Sequence, residues 1–361
     1  MTDIRQIIQP DRRRGRGTVS NTSGRYETEQ RVDMDDGWDG LGDLASLKTT
    51  IQEERAKTII STNTSPDVAF DRSINMYRGC EHGCSYCYAR PTHTYMGHSP
   101  GLDFETRLYA KTNAVELLER EFAKKSYKPQ FIALGTNTDP YQPIERQYEL
   151  TRGILELLER VGHPVAILTK SALITRDIDI LARMAKRGLA KAAISITTLD
   201  NKTSRKMEPR ASAPHKRLDA LRQLSDAGIP TTAMVAPIIP ALNDSEIEPI
   251  LDAIKNTGAT NAGYILLRLP LELKELFREW LKAEFPDRAD HVINLLKSMH
   301  EGRDYTADWG IRRSGTGPYA ELIAQRFKLA RKRLGFSKTR TELRLDLFEP
   351  PILKGAQYKL F

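Results

Sequence analysis

Short apolar runs and amphipathic stretches alternate about six times along this 361-residue chain. That alternation predicts an α/β fold, a partial (α/β)6 TIM-type barrel with a helical C-terminal extension. Glycines mark the joints: Gly162, Gly188, Gly228 and Gly258 each end an amphipathic stretch, where a helix C-cap belongs. Strands separated by single helices are expected to be parallel, because a right-handed crossover returns each beside its predecessor. In such a barrel chemistry gathers where strands end and loops begin, and the three cysteines of the chain follow the first predicted strand.

Residues 1 to 65 are expected to form a poorly ordered basic arm. Arg12-Arg-Arg-Gly-Arg-Gly17 leads into Ser, Thr, Asn, Asp and Gly with few large apolar side chains, too few to offset chain entropy by burial. The core domain is expected over residues 66 to 300. Its strands are predicted at Ser73 to Tyr77, Gln130 to Leu134, Val165 to Leu168, Ala192 to Ile196, Thr231 to Val235 and Ala262 to Leu267. Between them, 113 to 122, 150 to 161, 177 to 186, 214 to 227 and 247 to 255 carry the apolar spacing of helices. From Leu271 the chain turns helical and basic, with helices at 273 to 281, 289 to 299 and 319 to 334 that would close the open side of the barrel. Residues 301 to 361 are set apart as a basic extension and tail. No segment repeats at a fixed period, which excludes a solenoid.

No apolar run approaches the roughly 18 residues of a bilayer span, and the N-terminus lacks the apolar stretch of a signal peptide. A cytoplasmic location and no membrane partner are therefore expected. The formal net charge is +8. Between Arg326 and Arg344, eight basic residues stand against Glu342 alone. Such a field attracts polyanions, making DNA or RNA a candidate partner, although a solvated helix face reads the same way.

Cys80, Cys84 and Cys87 are spaced C-x3-C-x2-C in Arg78-Gly-Cys-Glu-His-Gly-Cys-Ser-Tyr-Cys-Tyr-Ala-Arg90. An odd number of cysteines in one short stretch is no disulfide framework; clustered thiols point to a reduced compartment and a metal. Two metals fit. A four-iron cluster held by three thiolates keeps one iron open to bind another molecule, whereas zinc accepts three cysteines with His82, His93 or His98.

The spacing, with aromatic Tyr86 before the last cysteine, resembles the cluster loop of the radical S-adenosylmethionine (SAM) enzymes. Further motifs resemble the spore-photoproduct-lyase-like branch of that superfamily: Leu168-Thr-Lys-Ser171, Ile174-Thr-Arg-Asp177, Ile194-Ser-Ile-Thr197, Met207-Glu-Pro-Arg210, and Val235-Ala-Pro-Ile-Ile-Pro240 with Asn243-Asp244. Together they cover roughly residues 70 to 270. The resemblance implies a radical SAM core with a 4Fe-4S cluster on the three cysteines and SAM on its open iron. One electron, from an external donor such as flavodoxin or ferredoxin, then releases a 5′-deoxyadenosyl radical.

Carried over residue by residue, Lys170 at the end of the third strand resembles the partner of the SAM carboxylate, and Ser195 a ligand of the cofactor's polar end. Thr197, Tyr86 and Asp139 are further cofactor candidates, the last in Gly135-Thr-Asn-Thr-Asp-Pro-Tyr141. Arg210 pairs with a phosphate or with a rim carboxylate. One departure matters: the spore lyase proper returns a hydrogen atom from a fourth cysteine, and this chain has none. Tyr141 is the nearby candidate donor. The implied activity is radical chemistry on a nucleic-acid lesion or modified base. A peptide or small-molecule substrate is the alternative, and a non-catalytic metal-stabilised nucleic-acid-binding protein is the reading from another class.

The chain ends Gln357-Tyr-Lys-Leu-Phe361, which resembles the bacterial sliding-clamp-binding pentapeptide with Tyr358 in place of the usual Leu. An extended tail would fill an apolar pocket with Leu360 and Phe361. Arg344-Leu-Asp-Leu-Phe348 is a near match without the glutamine. A tail packed on the protein's own barrel would look the same.

Overall fold

The computed structural model describes residues 8, 13–27, 47–339 and 341–353. Six parallel strands lie side by side in chain order: β1 (Arg72–Ile74), β2 (Ile132–Leu134), β3 (Val165–Thr169), β4 (Ala190–Ser195), β5 (Thr231–Ile238) and β6 (Asn261–Leu266). Each is joined to the next by a helix among α1 (Ala114–Phe122), α2 (Leu150–Arg160), α3 (Ile178–Lys186), α4 (Pro214–Asp226) and α5 (Ile247–Lys255). A short antiparallel strand, Ile60–Thr62, borders β1. Beyond β6 follow α6 (Leu273–Glu284), α7 (Ala289–Ser298) and α8 (Gly317–Arg333). Sequential order without reversal is the topology of a partial barrel.

The periodicity shows why these segments fold so. In α5, Ile247, Ile250, Leu251 and Ile254 are buried at helical spacing on one face. Along β3 the buried residues are Val165, Ile167 and Thr169, while Ala166 and Leu168 on the opposite face are half-buried. Lys170 continues that second face, and its ammonium lies over the Tyr86 ring of the cysteine loop. The cap glycines Gly162, Gly188, Gly228 and Gly258 all take positive φ, as helix C-caps do.

Three expectations change. The first strand is shorter than Ser73 to Tyr77, because after Ile74 the chain leaves the barrel and Tyr77–Arg78 pairs antiparallel with Arg107–Lys111 in a separate three-stranded sheet. The poorly ordered arm expected to residue 65 is not what residues 13–27 and 47–62 show. Arg16, Thr18, Val19 and Ser20 are buried, and Thr50–Glu54 is a strand parallel to Arg107–Lys111. Three of the eight basic residues in the run from Arg326 pair with carboxylates within the chain. Arg326 forks onto Glu248, Arg333 pairs with Asp252, Arg344 with Asp346, and Arg331 bonds Asn261 and the Ser337 carbonyl. The Arg326 and Arg333 pairs dock α8 on α5, while Lys328, Lys332 and Lys338 are exposed.

The open side of the barrel is bridged by the segment from Gly310 to Ser314. The Leu266 amide of β6 donates to the Arg313 carbonyl (2.9 Å), while Gly310 and Arg312 bind the Asp67 carboxylate near the opposite edge. The near match ending in Phe348 is seated on the barrel, its ring against Phe122, Tyr127 and His163. Gln357 to Phe361 lie outside the described residues. Among the described residues no helix is long and apolar enough to cross a membrane.

Candidate metal and cofactor site

The cysteine loop is fixed from below by two buried charges. Arg90 is fully buried: its Nε donates to the Cys84 carbonyl (2.9 Å), and its terminal nitrogens donate to the Gly101 carbonyl (2.8 Å) and the Glu105 carboxylate (2.5 Å). A guanidinium removed from water needs that carboxylate. Glu105 also accepts from the Gly17 amide (2.8 Å), the Thr18 amide (3.0 Å) and the Thr18 hydroxyl (3.1 Å), so the N-terminal segment is strapped over the loop. The approach is close enough to require glycine. A Cβ on Gly17 would stand 1.6 Å from the Gly83 carbonyl oxygen, and one on Gly83 would stand 2.6 Å from a Glu105 oxygen.

Cys80 and Cys84 are buried and Cys87 is half-buried, all as free thiols. Burial pushes all three thiols up, Cys84 to about 12, so the bare loop is protonated and a bound metal would displace the protons. Each imidazole that could complete a zinc site is held through one ring nitrogen. His82 Nδ1 is 3.4 Å from Asp139, His93 Nε2 contacts the Arg107 carbonyl at 3.0 Å, and His98 Nε2 meets the Tyr109 hydroxyl at 2.5 Å. Among the described residues no three His, Cys, Asp or Glu side chains are drawn together to share one metal ion. Three free thiols on one loop, one for each of three irons, match the donor set of a cluster that keeps its fourth iron open.

Around the loop the strand ends bring several predicted residues together. The Lys170 ammonium lies 5.7 Å from the centre of the Tyr86 ring. Burial opposes its charge, but the neighbouring Cys84 and Glu208 outweigh that and raise its pKa. Asp139, at the β2 end, accepts from the Lys170 amide (2.8 Å), the Thr169 hydroxyl (2.6 Å) and the Tyr141 amide (2.9 Å). Burial works against that carboxylate, yet His82, the Thr169 hydroxyl and the Lys170 amide hold it down to about 2. Asp139 thus braces the strand end that carries Lys170. Ser195 is buried at the β4 end, its carbonyl taking Arg217 (3.1 Å).

Sequence reasoning quoted Glu208 inside a motif but gave it no role. In the structure it is the hub: it accepts from the Tyr86 hydroxyl, from Thr197 (2.7 Å) and from buried Arg217. Thr197 therefore spends its hydroxyl on Glu208. Burial would raise the Glu208 pKa, but Arg217 and Lys170 hold it below its usual value. Arg210 resolves to the rim carboxylate, donating to Glu81 in the cysteine loop (2.7 Å). Tyr141 is packed: it is fully buried, and its hydroxyl donates to Asp177 (3.1 Å), which also pairs with Arg152 and Arg176.

A thiol triad on a loop at a partial-barrel mouth, beside a strand-end lysine, defines a cofactor-binding α/β enzyme. A match to the Radical SAM superfamily spans residues 74–254, and the chain belongs to that family. It is similar to the uncharacterized protein Rv2578c of Mycobacterium tuberculosis, 37% identical over 240 residues that cover 65% of this chain and 71% of the relative. It is also similar to the uncharacterized protein MJ0683 of Methanocaldococcus jannaschii, 28% identical over 247 residues, covering 68% and 88%. Among solved structures, spore photoproduct lyase complexed with dinucleoside spore photoproduct shares the fold, with a TM-score of 0.55 over 79% of each chain at 16% identity. The protein is a radical SAM enzyme, a class whose cofactors are a 4Fe-4S cluster and SAM.

Proposed function

We propose that Cys80, Cys84 and Cys87 hold the cluster, that Lys170 with Ser195 receives SAM, and that the target is a base in nucleic acid. The observation that carries the reading is the meeting of three thiols and one lysine at a single barrel mouth, Lys170 sitting against the aromatic ring between Cys84 and Cys87. With cluster and SAM bound, one-electron reduction of the sulfonium supplies a 5′-deoxyadenosyl radical, for which flavodoxin or ferredoxin is the proposed donor class. The rest of the work is positioning by the chain itself. Lys170 offers its ammonium to the SAM carboxylate from a backbone held by Asp139, and Glu208 fixes Tyr86 and Thr197.

Two observations support a nucleic-acid target. The chain carries a net +8 charge, and the neighbouring fold is one that binds a dinucleoside photoproduct. A base in a duplex would be presented extrahelically, since a barrel mouth cannot reach into the stack. The internal pairing of the basic run after Arg326 favours the second reading, a peptide or small-molecule substrate. For the hydrogen atom returned to product, packed Tyr141 remains as proposed donor only if Asp177 releases it.

Anaerobic reconstitution followed by measurement of 5′-deoxyadenosine, with and without oligonucleotides bearing candidate lesions, tests the proposal. Stimulation by an oligonucleotide is expected; SAM cleavage indifferent to every nucleic acid supports the second reading.

A further inference from the structure

Among the described residues most surface arginines pair with a carboxylate; two beside the cysteine loop do not. Arg268, just past the end of β6, lies over the Tyr88 ring at 4.8 Å and contacts the Tyr305 hydroxyl at 3.3 Å through Nε. Arg313 is held to the same strand end by its carbonyl on the Leu266 amide, and its guanidinium reaches only the Asp67 carbonyl. Among the described residues neither guanidinium has an acidic side chain at ion-pair distance. Arg268 is close enough that its charge, after burial, is the next influence holding the Arg313 pKa below its usual value.

Tyr88 sets where this pair stands. It follows Cys87 directly, its hydroxyl is tied to the Thr136 carbonyl at the end of β2, and 44% of it is exposed. Its ring thus presents Arg268 at the barrel mouth, one residue from the thiol triad. Asp67 offsets part of the charge on Arg313 without reaching ion-pair distance of it, so the two like charges still repel, an anion relieves that repulsion, and a guanidinium fork matches phosphate oxygens.

We propose that Arg268 and Arg313, presented by Tyr88, bind a phosphate group of the substrate beside the cluster loop. The identification of that group as a phosphodiester rests on the nucleic-acid reading above. Lys170, over the Tyr86 ring, stays with the SAM carboxylate, so phosphate and carboxylate have separate cationic partners.

The test compares the reconstituted full chain with Arg268→Gln and Arg268→Gln/Arg313→Gln, using a fluorescent single-stranded oligonucleotide across a salt series and inorganic phosphate in thermal melts. SAM affinity and circular dichroism verify that the variants are folded, and Arg268→Lys keeps the charge while losing the fork. The expected result is a roughly ten- to a hundredfold loss of oligonucleotide affinity in the double variant, a salt slope shallower by about 1.4, and an intermediate effect of Arg268→Lys. Equal affinity and slope in wild type and double variant would overturn the site and leave the nucleic-acid reading standing. If no oligonucleotide binds but phosphate stabilises the wild type and not the double variant, the site holds and the substrate is a small phosphorylated molecule. If neither probe distinguishes the proteins, the site is overturned.

Discussion

The Lys170 ammonium rests over the Tyr86 ring, 5.7 Å from its centre, and Tyr86 in turn donates its hydroxyl to Glu208. The lysine proposed to hold SAM is thereby coupled to the loop proposed to hold iron. Lys170→Ala should weaken SAM binding about ten- to a hundredfold, the value of roughly 1.5 to 3 kcal/mol for a charge-assisted hydrogen bond. Iron content should be retained. Equilibrium dialysis against labelled SAM on iron-matched samples checks it.

Glu208 should matter to the fold before it matters to turnover. Glu208→Ala strands Arg217, whose side chain is 1% exposed, without its carboxylate, and a loss of about 3–5 kcal/mol is expected. Glu208→Gln keeps an acceptor for Tyr86 and Thr197 and should fall between. Urea midpoints of the three proteins measure this, with iron content recorded alongside.

The strap is testable at one atom. Gly17→Ala places a Cβ 1.6 Å from the Gly83 carbonyl oxygen, so the segment must lift from the loop and release its two amide bonds to Glu105. Faster iron release to a chelator, and faster amide exchange at residues 17 and 18, are the expected outcomes. Unchanged exchange there would show that the strap does not depend on this contact.

His163 gives the fold an acid limit. It is buried against Phe122 with Nε2 on the Tyr127 hydroxyl, and burial holds its pKa down to about 4. The unfolded chain takes up that proton near pH 6.5, so the contribution is complete above this value and falls as pH drops toward 4. Between pH 7 and pH 5 the loss from this group is about 2 kcal/mol. His163→Phe should show correspondingly less acid sensitivity than the wild type in urea unfolding at the two pH values.

How much of this was legible in the sequence follows from the range of each interaction. Strand β3 and helix α5 were read within a residue or two, because their periodicity is local and glycine caps mark their ends. Lys170 was legible as a cation at a strand end. Glu208 was not, because its role depends on Tyr86, 122 residues earlier, and on the turn of α4 that brings back Arg217. The strap was read as an arm for the same reason. Its few apolar side chains said little, while its order comes from backbone amides meeting Glu105, 88 and 87 residues away. The pairing inside the basic run was not legible because the acids that meet Arg326 and Arg333 lie on α5, some eighty residues back.

Metal analysis of the anaerobically purified and reconstituted protein, paired with 5′-deoxyadenosine measurement after reduction with dithionite, tests the central claim most directly. About four iron and four sulfide per chain are expected, with 5′-deoxyadenosine formed by the wild type and by none of Cys80→Ala, Cys84→Ala and Cys87→Ala. Stoichiometric zinc without iron, or SAM cleavage that survives loss of any one of these cysteines, would contradict it.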